Sequence, residues 1–128
     1  MSDRVRSVLV VEDDRGISRV LSFALREAGL AVRTAATGQQ ALDVLDREAE
    51  DAVVLDLGLP DGKGGAVLQW LKSHNATGPV WVVISALNKE DAQSRYGPLG
   101  MNFLAKPFDP WLLVATIERL LGAKAHSE

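Results

Sequence analysis

The chain has 128 residues, of which 47% are hydrophobic and 24% charged, and its formal net charge at pH 7 is −3. This balance is typical of one soluble globular domain, and the mild acidity gives no electrostatic reason to expect binding to nucleic acid or to a membrane surface. Cysteine is absent, which excludes disulfides, thiolate metal sites and cysteine nucleophiles. No apolar run is long enough for a signal sequence or a membrane span. We therefore expect a cytoplasmic protein.

Short apolar runs alternate with longer segments of helical periodicity. Residues 7–11 form an unbroken, mostly β-branched run, which is typical of a strand buried on both faces. Between Arg15 and Ala28 the apolar residues recur every three or four positions, which predicts one buried helix face, and Gly29 stands where a left-handed helix cap is expected. The residues predicted on that face are Ile17, Val20, Leu21, Ala24, Leu25 and Ala28.

Five strand–helix units are predicted in alternation. The predicted strands span 7–11, 31–35, 52–55, 80–84 and 102–105. The predicted helices span 15–28, 38–47, 65–73, 89–96 and 110–121. This alternation predicts an α/β fold, a single doubly wound five-stranded parallel sheet with helices on both faces. We expect one domain over 1–128, with its core at about 7–121 and a frayed tail at 122–128.

Polar residues stand where the predicted strands end. Glu12, Asp13 and Asp14 follow the first strand, and Asp56 follows the third. In a parallel α/β sheet these ends meet at one edge, where several carboxylates would repel one another unless a cation were present. Oxygen ligands of this kind suit Mg²⁺, or Mn²⁺ in its place.

Two further strand ends supply donors for a phosphoryl group. Ser85 follows the fourth strand and Lys106 follows the fifth. A carboxylate, a divalent metal, a lysine and a hydroxyl are together what an aspartyl-phosphate site requires. Taken alone, however, residues 12–14 could equally be a solvated loop that caps the first helix.

Four segments at these strand ends carry a family resemblance. They read VVEDD at 10–14, DLGLPDGKG at 56–64, ISA at 84–86 and FLAKPF at 103–108. In this order and spacing they resemble the receiver domains of two-component response regulators, over about residues 7–121. The resemblance implies a flavodoxin-like fold with strand order 2-1-3-4-5. It also implies a signalling switch that catalyses only its own phosphorylation and dephosphorylation, rather than an enzyme.

The resemblance assigns roles to the acidic residues. Asp56 would accept the phosphoryl group from a phosphohistidine on a sensor histidine kinase or phosphotransfer protein. Asp13, Asp56 and the backbone carbonyl of Gly58 would ligate Mg²⁺, and Glu12 would act through a bound water.

The same resemblance assigns the remaining residues of the site. Ser85 and Lys106 would each contact a phosphoryl oxygen. Phe103 would change rotamer when Ser85 moves inward, and the peptide bond before Pro107 is expected to be cis.

The last predicted helix carries apolar residues outside its core arc. Leu113, Val114, Ile117, Leu120 and Leu121 fill one arc, whereas Trp111, Leu112 and Ala115 fall on the other side. Either the loop after the fourth strand covers these three, or they form a surface for a homodimer or an output partner.

Some positions depart from the family. Pro98 predicts a short or irregular fourth helix, and Met101 stands where a small residue is usual. The resemblance implies that the positions of Gly58 and Leu87 tune the lifetime of the phosphoryl group, and since neither side chain could position an attacking water, we expect slow self-dephosphorylation.

Three other classes of function were considered as alternatives to a phosphorylated receiver. A phosphohydrolase of the haloacid-dehalogenase type would need a second Asp where Gly58 stands, and a Rossmann oxidoreductase would need a glycine-rich first turn. A receiver-like interaction module that is never phosphorylated also remains an alternative. No basic, recognition-helix-like segment follows Leu121, so we expect no direct binding of nucleic acid by this chain.

Overall fold

A computed structural model describes residues 4–99 and 102–127. Its strands are β1 (Ser7–Val11), β2 (Ala31–Ala35), β3 (Ala52–Asp56), β4 (Val80–Ser85) and β5 (Phe103–Ala105). Its helices are α1 (Arg15–Glu27), α2 (Gly38–Arg47), α3 (Gly64–Ser73), α4 (Lys89–Tyr96) and α5 (Pro110–Ser127). The prediction about Met101 falls outside the described residues. Among those residues, no helix is long and apolar enough to cross a bilayer.

All five strands are parallel, in the order β2-β1-β3-β4-β5. The predicted fold class is therefore confirmed. Successive residues of a strand point to opposite faces, so Leu9 and Val11 pack beneath α2 and α3, whereas Val8 and Val10 pack beneath α1 and α5. The central strands are apolar between their terminal residues because both faces are covered by helices.

Local chemistry defines where the helices begin and end. The Asp14 side chain accepts a hydrogen bond from the Ile17 amide at 3.0 Å and caps α1. Beyond the end of α1, Gly29 has a φ of 88°, as its position predicted.

Close packing joins α3 to the loop after β3. A Cβ atom on Gly64 would overlap the Leu57 carbonyl oxygen. Glycine at this position therefore lets α3 begin directly against the residue that follows Asp56.

Two sequence predictions about the helices are wrong. Val20 was placed on the buried face of α1 but is 52% exposed, because it lies beside an open groove lined by Pro107 and Phe108. The sequence predicts that helix α5 ends at Leu121, but it continues to Ser127; fraying of the segment 122–128 stays a prediction. Gly122 costs a helix only about 1 kcal/mol relative to alanine, which is too little to stop it.

Candidate functional site

The carboxyl ends of β1, β3, β4 and β5 form one cleft of about 320 Å³. Glu12 and Asp13 follow β1, Asp56 and Ser85 are the last residues of β3 and β4, and Lys106 follows β5. The register places Asp56 beside Ile84 and Ser85 beside Ala105, so the ends lie level. The cleft thus brings together the predicted metal-binding and phosphoryl-binding residues, which are Glu12, Asp13, Asp56, Gly58, Ser85 and Lys106.

Three carboxylates in this cleft could hold a cation. Oxygen atoms of Glu12, Asp13 and Asp56 all lie within 4.8 Å of one another. Glu12 Oε2 is buried and has no hydrogen-bond partner among the described residues. An unpartnered buried oxygen beside two other carboxylates fits a divalent cation with oxygen ligands. Gly58 contributes its amide, which donates to Asp56 Oδ1 at 3.0 Å, whereas a role for its carbonyl stays a prediction.

Lys106 joins the two most buried carboxylates. Its Nζ donates to Glu12 Oε1 at 2.7 Å and to Asp56 Oδ2 at 3.0 Å. The sequence interpretation assigned this lysine to a phosphoryl oxygen and did not foresee the pairing with Glu12. The peptide bond from Lys106 to Pro107 is cis, as expected.

Burial and neighbouring groups shift the pKa values of Glu12 and Asp56 in opposite directions. Burial raises the pKa of Glu12 from 4.5 to about 8, and Asp56 adds to this rise while Lys106 opposes it. Burial also acts to raise the pKa of Asp56, but hydrogen bonds with Glu12, the Gly58 amide and Lys106 outweigh it and lower that pKa. Burial acts to lower the pKa of Lys106, but its two carboxylate partners raise it. Asp56 is therefore held ionised beside a charged lysine, the form in which a carboxylate is nucleophilic.

Ser85 and Phe103 occupy different places relative to the cleft. Ser85 is buried, and its Oγ accepts a hydrogen bond from the Leu87 amide at 3.0 Å. Because Oγ is the acceptor there, its proton is available for another oxygen. Phe103 is half-buried and packs against the core beneath α2 and α3 rather than lining the cleft. Its change of rotamer stays a prediction.

Two further residues line the cleft, and the sequence did not identify either of them as part of the site. Arg95 and Tyr96, from the end of α4, lie along its rim. The Tyr96 hydroxyl donates to the Leu57 carbonyl oxygen at 3.3 Å. In the sequence this part of the chain is marked only by Pro98, which predicts a short fourth helix, and no local signal places Arg95 or Tyr96 at the site.

The three apolar residues of α5 lie away from the cleft. Trp111 is 54% exposed, Leu112 is 51% exposed, and Ala115 is exposed as well. The loop after β4 therefore leaves them uncovered.

The five-stranded fold and the acidic cleft at its carboxyl edge define a receiver-type signalling domain. The family model described as the response regulator receiver domain matches residues 8–118. The chain belongs to this family of two-component signalling proteins.

Characterised relatives include full-length regulators. The transcriptional regulatory protein GltR of Pseudomonas aeruginosa is 33% identical over 123 residues, covering 94% of this chain and 51% of GltR. Protein Rrf1 of Nitratidesulfovibrio vulgaris is 31% identical over 118 residues, covering 92% of this chain and 84% of Rrf1. The chain spans about half the length of GltR and a quarter of the NtrC regulators that it also matches.

Solved structures are similar across the whole domain. The BeF3-activated DrrB receiver domain superposes with a TM-score of 0.79 at 29% identity, covering 93% of this chain and 99% of that one. A CheY-like receiver domain protein from Methanospirillum hungatei superposes with a TM-score of 0.82 over 98% of this chain, and at 23% identity it supports the fold.

Proposed function

We propose that Asp56 accepts a phosphoryl group from a phosphohistidine of a sensor histidine kinase or phosphotransfer protein, in a Mg²⁺-dependent reaction. One observation carries the proposal: Asp56 ends β3 with one oxygen bound to Lys106 and the other to the Gly58 amide, and it shares an acidic cluster with Glu12 and Asp13. Phosphorylation then shifts the population between two conformations that a partner distinguishes. The chain catalyses only its own phosphorylation and dephosphorylation.

The transfer step uses the ionised Asp56 carboxylate. Its oxygen attacks phosphorus, a P–O bond forms, the P–N bond to the donor histidine breaks, and the leaving imidazole takes up a proton. Lys106 then contacts a phosphoryl oxygen in place of Asp56, and the Ser85 hydroxyl donates to another. A bound Mg²⁺ would neutralise the negative charge on the transferring oxygens. Asp13, Asp56 and the Gly58 carbonyl would hold the ion, and Glu12 would hold it through a water.

The test is intact-mass spectrometry after incubation with Mg²⁺ and acetyl phosphate. One phosphoryl group should be gained that is stable in acid and lost in base, as an acyl phosphate is. Peptide mapping should place it on Asp56. If nothing is gained at any Mg²⁺ concentration, or from a cognate phosphohistidine donor, the receiver-like interaction module becomes the better interpretation.

The proposed metal site predicts that variants of two adjacent aspartates, Asp13 and Asp14, respond differently to Mg²⁺. Mg²⁺ should raise the melting temperature by mass action, because it binds the folded cleft and not the unfolded chain. Asp13→Asn should lose most of this rise because it removes a ligand. Asp14→Asn should keep it, because Asp14 caps α1 and lies outside the carboxylate cluster. The measurement is a thermal melt across a Mg²⁺ titration, and equal responses of the two variants to Mg²⁺ would contradict the placement.

We also propose that Trp111, Leu112 and Ala115 form a partner surface, either for a second copy of this chain or for an output partner. Trp111→Ala should melt nearly as wild type, because the side chain is half exposed, but should weaken association, since tryptophan in an interface commonly contributes about 2 kcal/mol or more. Sedimentation velocity with and without beryllofluoride measures this. Phe23→Ala is the matched control, an exposed aromatic on α1. If Trp111→Ala associates with itself and with an output partner as strongly as wild type does, the proposed surface is wrong.

A further inference from the structure

The rim of the phosphorylation cleft is formed on one side by the end of α4. This helix has eight residues and buries only Ala92 fully. Its last turn is held by the hydrogen bond from the Tyr96 hydroxyl to the Leu57 carbonyl oxygen, the residue directly after Asp56. The aromatic ring of Tyr96 also lies against the start of α3, because a Cβ atom on Gly65 would lie 3.5 Å from it. Tyr96 thus fixes the end of α4 beside the cleft.

Arg95 is the residue next to this anchor, and it lines the same cleft. Its side chain is exposed and makes no hydrogen bond or ion pair with any other described residue. Lys106, by contrast, is already shared between two carboxylates. The cleft therefore has two cationic side chains, and only Arg95 has all its donors available.

Phosphorylation of Asp56 would add negative charge that a cation with free hydrogen-bond donors could stabilise. A phosphoryl group carries up to about two negative charges and has several strong acceptor oxygens. In this cleft it would add negative charge beside the carboxyl groups of Asp13 and Glu12, and a second cation besides Lys106 would reduce the repulsion between them. Gly58 and Leu87 also line the cleft, and neither has a polar side chain that could contact the group. A guanidinium can donate two parallel hydrogen bonds to phosphoryl oxygens.

We infer that Arg95 binds the phosphoryl group carried by Asp56, and that Tyr96 is the positioning residue that holds Arg95 over the cleft. This inference rests on the proposed role of Asp56. The contact covers the acyl phosphate on the side of the rim that the end of α4 forms. Hydrolysis needs a water to attack phosphorus there, breaking the P–O bond to Asp56 and releasing inorganic phosphate, and Arg95 obstructs that approach.

The test is a beryllofluoride titration in the presence of Mg²⁺, followed by ¹⁹F nuclear magnetic resonance, with a thermal melt of each variant. Arg95→Gln should raise the midpoint roughly tenfold or more, the usual effect of losing a hydrogen bond between charged groups, with an unchanged melting temperature. Arg95→Lys should recover part of the affinity. Tyr96→Phe, which removes only the hydroxyl, should raise the midpoint in the same direction by a smaller factor.

The matched control is Lys89→Gln, which removes one positive charge from the first residue of α4, a residue that does not line the cleft. Its midpoint should equal that of wild type. A midpoint for Arg95→Gln equal to that of Lys89→Gln would overturn the inference and leave the role of Asp56 intact. If wild type itself does not bind beryllofluoride, both the inference and the proposed phosphoacceptor are wrong.

Discussion

An Asp56→Asn variant should take up no detectable phosphoryl group in the incubation with Mg²⁺ and acetyl phosphate. The amide of asparagine has no anionic oxygen to attack phosphorus, and among the described residues no other carboxylate of the cleft accepts hydrogen bonds from both Lys106 and the Gly58 amide. Glu12 is buried with a pKa raised to about 8, and Asp13 is exposed at the edge of the cleft. The effect should therefore be complete rather than partial.

The same variant should keep its fold. Asparagine has the shape of aspartate, its oxygen can still accept from the Gly58 amide, and Lys106 keeps Glu12 as a partner. With residue 56 uncharged, Glu12 loses a neighbour that raises its pKa and can ionise against Lys106, so the melting temperature without Mg²⁺ should stay close to that of wild type.

Asp61→Asn is the matched control for this variant. Asp61 lies in the same loop, but its oxygens accept from the Gly38 and Gln39 amides at the start of α2, outside the cleft. It should take up the phosphoryl group as wild type does. Uptake by Asp56→Asn equal to that of Asp61→Asn would move the acceptor to another residue.

The strand ends could be predicted because two simple rules coincide there. Apolar runs mark buried strands, and parallel strands bring their carboxyl ends to one edge. Glu12, Asp56 and Ser85 follow such runs directly, so their proximity needed no tertiary information. Five matching strands and the cleft itself confirm this reasoning.

Other features could not be predicted from the sequence, because they depend on how helices and strands pack against one another. The hydrophobic periodicity of a single segment carries no information about that packing. Val20 has the spacing of a core residue, but the chain around Pro107 leaves a groove beside it. Lys106 and Glu12 are 94 positions apart in sequence, and their pairing follows from the register of β5 on β4. Arg95 and Tyr96 reach the cleft only because of where the end of α4 lies, and α4 has too few buried residues to define a face.

Lys106→Met should damage both stability and phosphorylation. Lys106 is the cation that contacts Glu12 and Asp56, whose side chains are 0% and 6% exposed. Removing one partner of a buried ion pair commonly costs about 3–5 kcal/mol. We expect the lower end of that range or less at neutral pH, because Glu12 already has a raised pKa and can take up a proton when the lysine is gone.

The loss of stability should depend on pH and on metal. A carboxyl group whose pKa is raised by folding stabilises the protein below its unfolded pKa, here 4.5, and this stability is lost as the pH rises through its folded pKa of about 8. Without Lys106 the pKa of Glu12 rises further, so the variant should lose stability between pH 5 and pH 9 more steeply than wild type. Mg²⁺ should restore it, because a divalent cation replaces the missing positive charge. Mg²⁺ should therefore raise the melting temperature of Lys106→Met more than that of wild type.

Phosphorylation should not be restored in the same way. Lys106 contributes a donor to the transferring oxygens, and loss of one such donor typically slows a transfer reaction about 10²–10³-fold. The rate of uptake from acetyl phosphate at saturating Mg²⁺ measures this separately from stability. Lys89→Met, the matched control, replaces an exposed lysine on α4 that lies outside the cleft, and it should phosphorylate and melt as wild type. If Lys106→Met behaved like this control, both the ion pair and the donor role assigned to Lys106 would be wrong. If it lost stability but phosphorylated normally at saturating Mg²⁺, the lysine would stabilise the empty cleft without acting on the phosphoryl group.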